Sequence, residues 1–292
     1  MKTITVLSGK GGVGKSSIAA SLAVLLARKK KMISADCDVD APNLNLCLGL
    51  SCMKIDWKNI KTSEKAELIR EKCTHCKACF ENCKFNAIRW DEKRRIPVFN
   101  RFLCEGCGVC SLVCKPKAIK QKKVVNGKIG VGKTDYGFKL VSGQLKMGES
   151  GSGEIVTAVR KRLIETAKEE GMDFAIIDSA AGIGCPVIAS VVGADYVVAV
   201  TEPTPAALSD LKRALEVVRH FKIPYGIVIN RWDINKEFSK EIENFAKRND
   251  ITILEKMPYN KKFVDALVNL TPIVVYDKSF EKIFLNILNK II

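Results

Sequence analysis

The sequence predicts an α/β fold: a mostly parallel β-sheet flanked by helices on both faces, interrupted by a smaller α+β unit. Three observations lead there. Apolar, β-branched runs ("TITVL" at 3–7, "FAIIDS" at 174–179, "VVAVT" at 197–201, "GIVIN" at 226–230) alternate with stretches of helical period such as "EIVTAVRKRLIETAKEE" and "PAALSDLKRALEVVRHF"; alternation of this kind makes parallel sheets covered on both sides. A glycine-rich loop, "GKGGVGKS" at 9–16, joins the first strand to the first helix. From about 60 to 120 the alternation stops, and two cysteine runs take its place.

The first strand, loop and helix form one unit. "TITVL" suits a buried strand, and "SSIAASLAVLLARKK" is Ala-rich, with Ile18, Leu22 and Leu25 on one helical face and "RKKK" at 28–31 where cations favour a helix C-terminus. Between them, glycines let the amides of residues 11 to 16 approach a phosphate group without Cβ clashes. Lys15 neutralises charge there, and Ser16 is placed to ligate Mg²⁺. The expected nucleotide-contacting stretch is therefore Gly9, Lys10, Gly11, Gly12, Val13, Gly14, Lys15, Ser16 and Ser17, with ATP or ADP and Mg²⁺ as the ligands.

The same pattern of Gly, four residues, Gly, Lys, Ser/Thr recurs at 127–134 as "GKIGVGKT". There the context is wrong. Only "VVNG" precedes it, Asn126-Gly127 being a hairpin turn signal, and "DYGFKLVSGQ" follows without helical period. This second match is assigned to a hairpin.

Two acidic segments follow the same logic. "ADCDVDAPNL" at 35–44 closes the second strand and offers Asp36, Asp38 and Asp40, the lesser alternative being that they cap a helix. "FAIIDSAAGIG" at 174–184 is an apolar strand ending in Asp178, followed by Gly182 as a point of mobility.

The cysteine runs, "CTHCKACFENC" and "CEGCGVCSLVC", are two copies of Cys-x2-Cys-x2-Cys-x3-Cys set 31 positions apart, with a hairpin-like "AIRWDEKRRIPVF" between them. Zinc, the competing reading, prefers paired Cys-x2-Cys units. The runs are similar to those of two-cluster bacterial ferredoxins, which implies two 4Fe-4S clusters with the fourth cysteine of each run crossing to the other cluster. One would take Cys73, Cys76, Cys79 and Cys114, the other Cys104, Cys107, Cys110 and Cys83. The proline that usually follows the fourth cysteine is absent at Lys84 and displaced to Pro116, and His75 reads as an exposed spacer. Of the remaining four cysteines, Cys37, Cys47 and Cys52 read as small buried or loop residues. Cys185 precedes Pro186 at a helix start and is a candidate interface thiol.

Lys10, straight after the first glycine of "GKGGVGKS", resembles the deviant phosphate loop of the MinD, ParA, Mrp and nitrogenase iron-protein group of ATPases. The resemblance implies that Lys10 reaches across an ATP-dependent homodimer, and that Lys10, Lys15 and Asp38 are catalytic, Asp38 orienting the attacking water. It also implies Asp36 near the Mg²⁺ shell with Ser16, Asp178 as the acid at the end of its strand, Asn230 against the base and Pro258 lining the adenine pocket. The whole chain resembles MinD-like P-loop ATPases carrying an inserted ferredoxin domain. That implies an ATPase domain of residues 1–59 and 121–292, an insert of 60–120, and slow hydrolysis without a partner.

Composition bounds the rest. With 292 residues, 47% of them hydrophobic, the chain can bury a large core. No signal peptide precedes "ITVLS", and the longest uncharged stretch, 179–194, is shorter than a spanning helix. A cytoplasmic protein without stable membrane insertion is expected, its 12 cysteines reduced or metal-bound. The formal charge of +16 invites a nucleic-acid reading, but the lysines run along the whole chain, so no nucleic-acid partner is expected. "KSFEKIFLNILNKII" is amphipathic, with Phe280, Ile283, Phe284, Ile287 and Leu288 on one face; core packing is the commoner use of such a face, a membrane surface the other. Three functions fit: an ATPase gating electron transfer to a redox partner, an ATP-dependent carrier or scaffold for iron-sulfur clusters, or a MinD-like spatial regulator with structural or redox-sensing clusters.

Overall fold

The structure is a computed structural model describing residues 1–292. The chain divides into two compact units: Met1–Lys58, Ile129–Gln144 and Ser152–Ile292 form the larger, and Asn59–Lys128 with Leu145–Gly151 form the smaller. The expected insert of 60–120 is therefore too short at its C-terminal end. Buried Asn126 explains the extension, since its side chain accepts from Thr62 N (2.9 Å) and donates to Ser150 O (3.0 Å), tying both flanks of the hairpin to the smaller unit.

The larger unit opens with β1 (Lys2–Ser8), α1 (Lys15–Ala27), β2 (Met32–Cys37), a short α2 (Leu44–Cys47) and β3 (Ile55–Ile60). The smaller unit contains β4 (Ser63–Leu68), α3 (Ala78–Glu81), β5 (Ile88–Asp91), β6 (Ile96–Phe99), α4 (Val109–Leu112) and β7 (Ile119–Val124). The chain returns through β8 (Gly127–Lys133) and β9 (Lys139–Leu145), then runs α5 (Ser152–Glu170), β10 (Phe174–Ala181), α6 (Cys185–Val191), β11 (Tyr196–Thr201) and α7 (Pro205–His220). It ends with β12 (Tyr225–Asn230), α8 (Lys236–Arg248), β13 (Thr252–Met257), α9 (Lys262–Val268), α10 (Ile273–Tyr276) and α11 (Glu281–Ile291).

One nine-stranded sheet organises the larger unit, in the order β13-β12-β11-β1-β10-β2-β9-β8-β3. From β13 to β9 every pairing is parallel. Successive residues of a strand face opposite sides, and both sides are apolar here. Val6, Val198 and Val228 enter one core with Ile18 and Leu22 of α1 and Phe284 and Ile287 of α11. Their neighbours Leu7, Ala199 and Ile227 enter a second with Val187 of α6, Leu211 of α7 and Ile242 of α8. Two-sided burial is the condition for a parallel sheet. The amphipathic C-terminal face belongs to the first core: Phe280, Phe284, Ile287 and Leu288 are buried in it and Ile283 packs against it.

The second glycine-rich match is strand β8 itself, lying between β9 and β3. Its amides serve a sheet ladder. The hairpin turn is not at Asn126-Gly127, as the sequence suggested, but at 134–138, where Thr134 donates through both N (2.9 Å) and Oγ1 (2.7 Å) to Phe138 O. Between Asp40 and the smaller unit the chain forms α2, a 3-10 turn at Cys52–Lys54 and β3.

The smaller unit is internally repeated. β4 pairs antiparallel with β7 and β5 with β6, so that Leu68 faces Ile119 and Phe99 faces Ile88. Adding 31 to Leu68 and Ile88 gives Phe99 and Ile119, and adding 31 to α3 gives α4. The two halves are copies related by exchange.

Candidate functional site

At the C-terminal edge of the sheet, where nucleotides settle in open α/β folds, lies a cavity of about 580 Å³. Gly11, Gly12, Gly14, Lys15, Ser16 and Ser17 form one wall of it. The loop bends at Gly14, whose φ of 91° is left-handed, and an added Cβ there would lie 2.5 Å from Asn230 Nδ2. Asn230, 6% exposed at the end of β12, donates that Nδ2 to Val13 O (2.8 Å) and accepts at Oδ1 from Arg231 N (3.0 Å). The side chain therefore holds the loop's shape. Pro258 and Asp38 also line the cavity.

Beneath the loop is an electrostatic knot. Lys15 Nζ donates to Asp178 Oδ1 at 2.6 Å, and the two side chains are 7% and 0% exposed. Burial alone would lower the lysine pKa, but Asp178, with Asp38 and Asp36 beyond it, outweighs burial and holds it above the usual value. Asp178 Oδ2 is buried with no hydrogen-bond partner. Asp36 is fully buried; its two oxygens accept from Asp38 N (3.1 Å) and Leu44 N (2.9 Å). Burial first, and then the charge of Asp178, pushes Asp36 up to about 8, against the pull of those amides and of Lys15. Asp38 is also raised, mainly by burial. Of the three acids in the segment, Asp36 anchors it, Asp38 faces the cavity, and Asp40 is exposed.

Lys10 lies on the surface side, with Nζ 3.3 Å from Glu202 Oε1, while Arg231 Nη1 reaches Glu202 Oε2 at 3.0 Å. Sequence reasoning missed this triad. It also missed the apolar wall of Phe263, Val264 and Leu267, contributed by α9. The adjacency of Arg231 to Asn230 could have flagged the first; a short helix with mixed faces gave no signal for the second.

The arrangement fits a magnesium nucleotide. An open glycine cradle, a cation that can turn to phosphate and an unpartnered buried carboxylate oxygen are the groups such a ligand needs.

The smaller unit holds two further cavities. One is lined by Cys73, Cys76, Cys79 and Cys114, with Trp90 and Pro116. The other is lined by Cys83, Cys104, Cys107 and Cys110, with Phe85 and Phe99. Each cavity thus takes three cysteines from one run and the fourth from the other. The repeat extends to the hydrogen bonds: Ala87 N donates to Cys83 Sγ (3.3 Å) and Ala118 N to Cys114 Sγ (3.2 Å). Left-handed residues recur at the same offset, His75, Lys77 and Asn86 in the first copy and Gly106, Gly108 and Lys117 in the second. A non-glycine residue in that conformation costs about 1–2 kcal/mol. Burial raises the Cys79 thiol to about 11, with the neighbouring cysteines Cys110, Cys114 and Cys73 adding to it. No three Cys, His, Asp or Glu side chains gather around a point one metal ion would occupy; the thiols surround cavities instead. His75 is exposed, its Nδ1 2.6 Å from Arg95 O.

Elsewhere, Cys37 and Cys47 are buried, Cys52 is exposed and accepts from Asn45 Nδ2 (3.3 Å), and Cys185 is exposed at the start of α6 with proline beside it. No helix is long and apolar enough to cross a membrane.

Comparison with known proteins places these features. The chain is 39% identical over 232 residues to an uncharacterized protein of Methanocaldococcus jannaschii, covering 80% of this chain and 79% of that one. It is 26% identical over 305 residues to the iron-sulfur cluster carrier protein of Pyrococcus abyssi, covering 99% and 85%. Its fold resembles the septum site-determining protein MinD of Pyrococcus horikoshii, solved with Mg-ADP, with a TM-score of 0.61 at 18% identity and coverage of 99% and 95%. Residues 4–273 match the family described as the CobQ/CobB/MinD/ParA nucleotide binding domain. With the phosphate loop, the parallel sheet and the buried lysine–aspartate pair in place, the chain belongs to that family of P-loop nucleotide-binding proteins.

Proposed function

We propose that this protein is an ATP-operated switch whose smaller unit, a ferredoxin-type insert, carries two resident 4Fe-4S clusters that exchange electrons with a partner protein. One observation supports it above the others: the eight thiols sort into two cavities, each shared between both cysteine runs. A cluster held that way is interlocked with both repeats, which suits a resident group better than cargo. Clusters, when bound, supply one-electron chemistry. The chain's residues offer amide hydrogen bonds to the ligand sulfurs, which stabilise added negative charge.

In the larger unit, triphosphate draws Lys15 away from Asp178. The freed Asp178 carboxylate and the Ser16 hydroxyl then face the phosphates, where Mg²⁺ would be held and would neutralise charge developing on the leaving phosphate. Asp38 holds the attacking water, and movement of the 38–44 segment, anchored by Asp36, passes along the chain through α2 into β3. Lys10 leaves Glu202 to reach the nucleotide of a second copy in an ATP-dependent dimer.

Anaerobic purification with iron quantification and EPR, repeated with ADP and with a non-hydrolysable ATP analogue, tests this. Two clusters whose reduction potentials move with nucleotide are expected. Colourless, iron-free protein sinks the reading, as do potentials that ignore nucleotide. A carrier role, suggested by the printed name of the Pyrococcus abyssi relative, predicts instead that an apo-acceptor protein extracts a cluster in an ATP-dependent way.

A further inference from the structure

The two cysteine cavities are electrostatically unequal. The smaller unit holds 18 Lys and Arg against 8 Asp and Glu, the larger 30 against 24, so most of the net charge sits on about a quarter of the chain. The cations do run along the whole chain, as the sequence showed, but they are denser and less compensated in the smaller unit.

Within the smaller unit the cations collect around one cavity. Lys72 precedes Cys73, and Lys115 and Lys117 flank Pro116, which lines the same cavity. Arg94 and Arg95 arrive from the β5–β6 turn, which meets the first cysteine run through the contact of His75 Nδ1 with Arg95 O. All five cations are exposed, and none is in an ion pair. The second cavity differs. Glu105 lines it; its nearby cations Lys65 and Arg101 are both paired with Glu149 (3.5 and 2.9 Å), and Lys120 and Lys122, which flank its Gln121, with Glu67 (3.0 and 3.1 Å), leaving Lys84 and Arg89. Exposed apolar side chains, Phe85, Phe102, Leu103 and Leu112, stand beside this cavity, against Phe80 in the first run.

The backbone records the same asymmetry. Where the second copy has Gly106 and Gly108 at positive φ, the first has His75 and Lys77 in the strained conformation. His75 fixes the arginine turn, and Lys77, paired with Glu92 at 3.3 Å, lines the cavity and stacks 5.2 Å over Trp90. Strain kept in one of two copies points to function in that copy.

We propose that the cationic face around Cys73, Cys76, Cys79 and Cys114 docks the acidic surface of a one-electron-transfer protein, making this cavity the exit or entry port of the unit. The inference rests on the cluster-bearing reading above. Opposite charge steers association and fixes register, and cations beside a cluster favour its reduced, more negative state. One electron passes between the cluster and the partner's one-electron centre, the donor being oxidised by one and the acceptor reduced by one. A protein is favoured over nucleic acid because the cations surround a cysteine cavity and the aromatic ring lining it, Trp90, is buried and cannot stack on bases.

The test uses full-length protein purified without oxygen, assayed for iron, reduced with dithionite and freed of excess. Ferric cytochrome c, native (basic) or succinylated (acidic), serves as electron acceptor over a range of salt. The succinylated form should be reduced faster at low salt and slow as salt rises. Lys72→Gln, Arg94→Gln and Lys117→Gln combined should cut its low-salt rate about tenfold and move one cluster's potential downward, at unchanged iron content. Lys30→Gln, Lys168→Gln and Lys240→Gln combined, on the larger unit, should do neither. Iron-loaded protein whose rates ignore salt and the first triple variant overturns this inference alone. So does a triple variant that loses only binding to a single-stranded oligonucleotide. Iron-free protein overturns the functional reading and this inference together.

Discussion

Lys15 and Asp178, 163 residues apart in the chain, form a buried ion pair at 2.6 Å directly under the phosphate loop. The lysine that should neutralise phosphate is already neutralised, so nucleotide binding exchanges one counterion for another. Removing one partner of a buried pair leaves an uncompensated charge and costs about 3–5 kcal/mol. Asp178→Asn is expected to lower the thermal midpoint of the nucleotide-free protein markedly, and ATP without Mg²⁺, for which the variant lacks a ligand, to restore much of the loss. Unfolding scans with and without nucleotide decide it; equal losses in both would mean that Lys15 never meets phosphate.

Gly14 and Asn230 give a second expectation. Asn230→Ala removes the donor to Val13 O and leaves a buried carbonyl unmatched, worth about 1–3 kcal/mol. Gly14→Ala drives a methyl onto Asn230 Nδ2 and strains a left-handed bend. Each should weaken binding of a fluorescent ATP analogue about tenfold or more, since 1.4 kcal/mol is tenfold. Because the methyl collides with the residue the other variant removes, the double variant should lose less than the two effects combined.

The pH dependence of the nucleotide-free protein isolates Asp36. Its folded pKa, about 8, lies above the ordinary carboxylate value, so the folded state holds a proton that the unfolded state gives up. The stabilisation from that proton is fully present below about pH 4 and is lost as pH rises through 8. Asp36→Asn keeps no such proton and, with one of two amides unmatched, is less stable throughout. The stability gap between wild type and Asp36→Asn should narrow from pH 5 to pH 8.5 in denaturant titrations; a gap that widens contradicts the assignment.

Which parts of this molecule could be read from its sequence follows from what fixes them. The phosphate loop and the eight cysteines are set by spacing along the chain, and the two-sided strands by continuous apolar runs. The last two strands at that end of the sheet were harder to read: "IDWKNI" and "GKIGVGK" have little apolar character, the second being legible as part of a hairpin but not as a member of the main sheet, and they join it because β9 gives β8 a ladder and β8 gives one to the edge strand β3. The partner of Lys15 and the hold of Asn230 on Val13 join residues 163 and 217 positions apart, beyond any local pattern. The concentration of positive charge was already countable within 60–120, where 14 Lys and Arg stand against 7 Asp and Glu; the boundary that buried Asn126 sets only sharpens it.

The crossed cysteine sets make a prediction that spacing alone would not distinguish from its opposite. If each run held its own cluster, Cys104 and Cys114 would serve one cluster and Cys73 another. The cavities group Cys114 with Cys73 instead, and Cys83 with Cys104. Cys73→Ser with Cys114→Ser should therefore spare one cluster, whereas Cys104→Ser with Cys114→Ser should damage both. Iron per chain and EPR spin count after anaerobic purification measure the difference. Run-local ligation gives the reverse order, one cluster surviving in the second pair and none in the first. Because both double variants remove the same number of thiols, a general loss of folding would lower them alike, and only the topology of ligation can separate them.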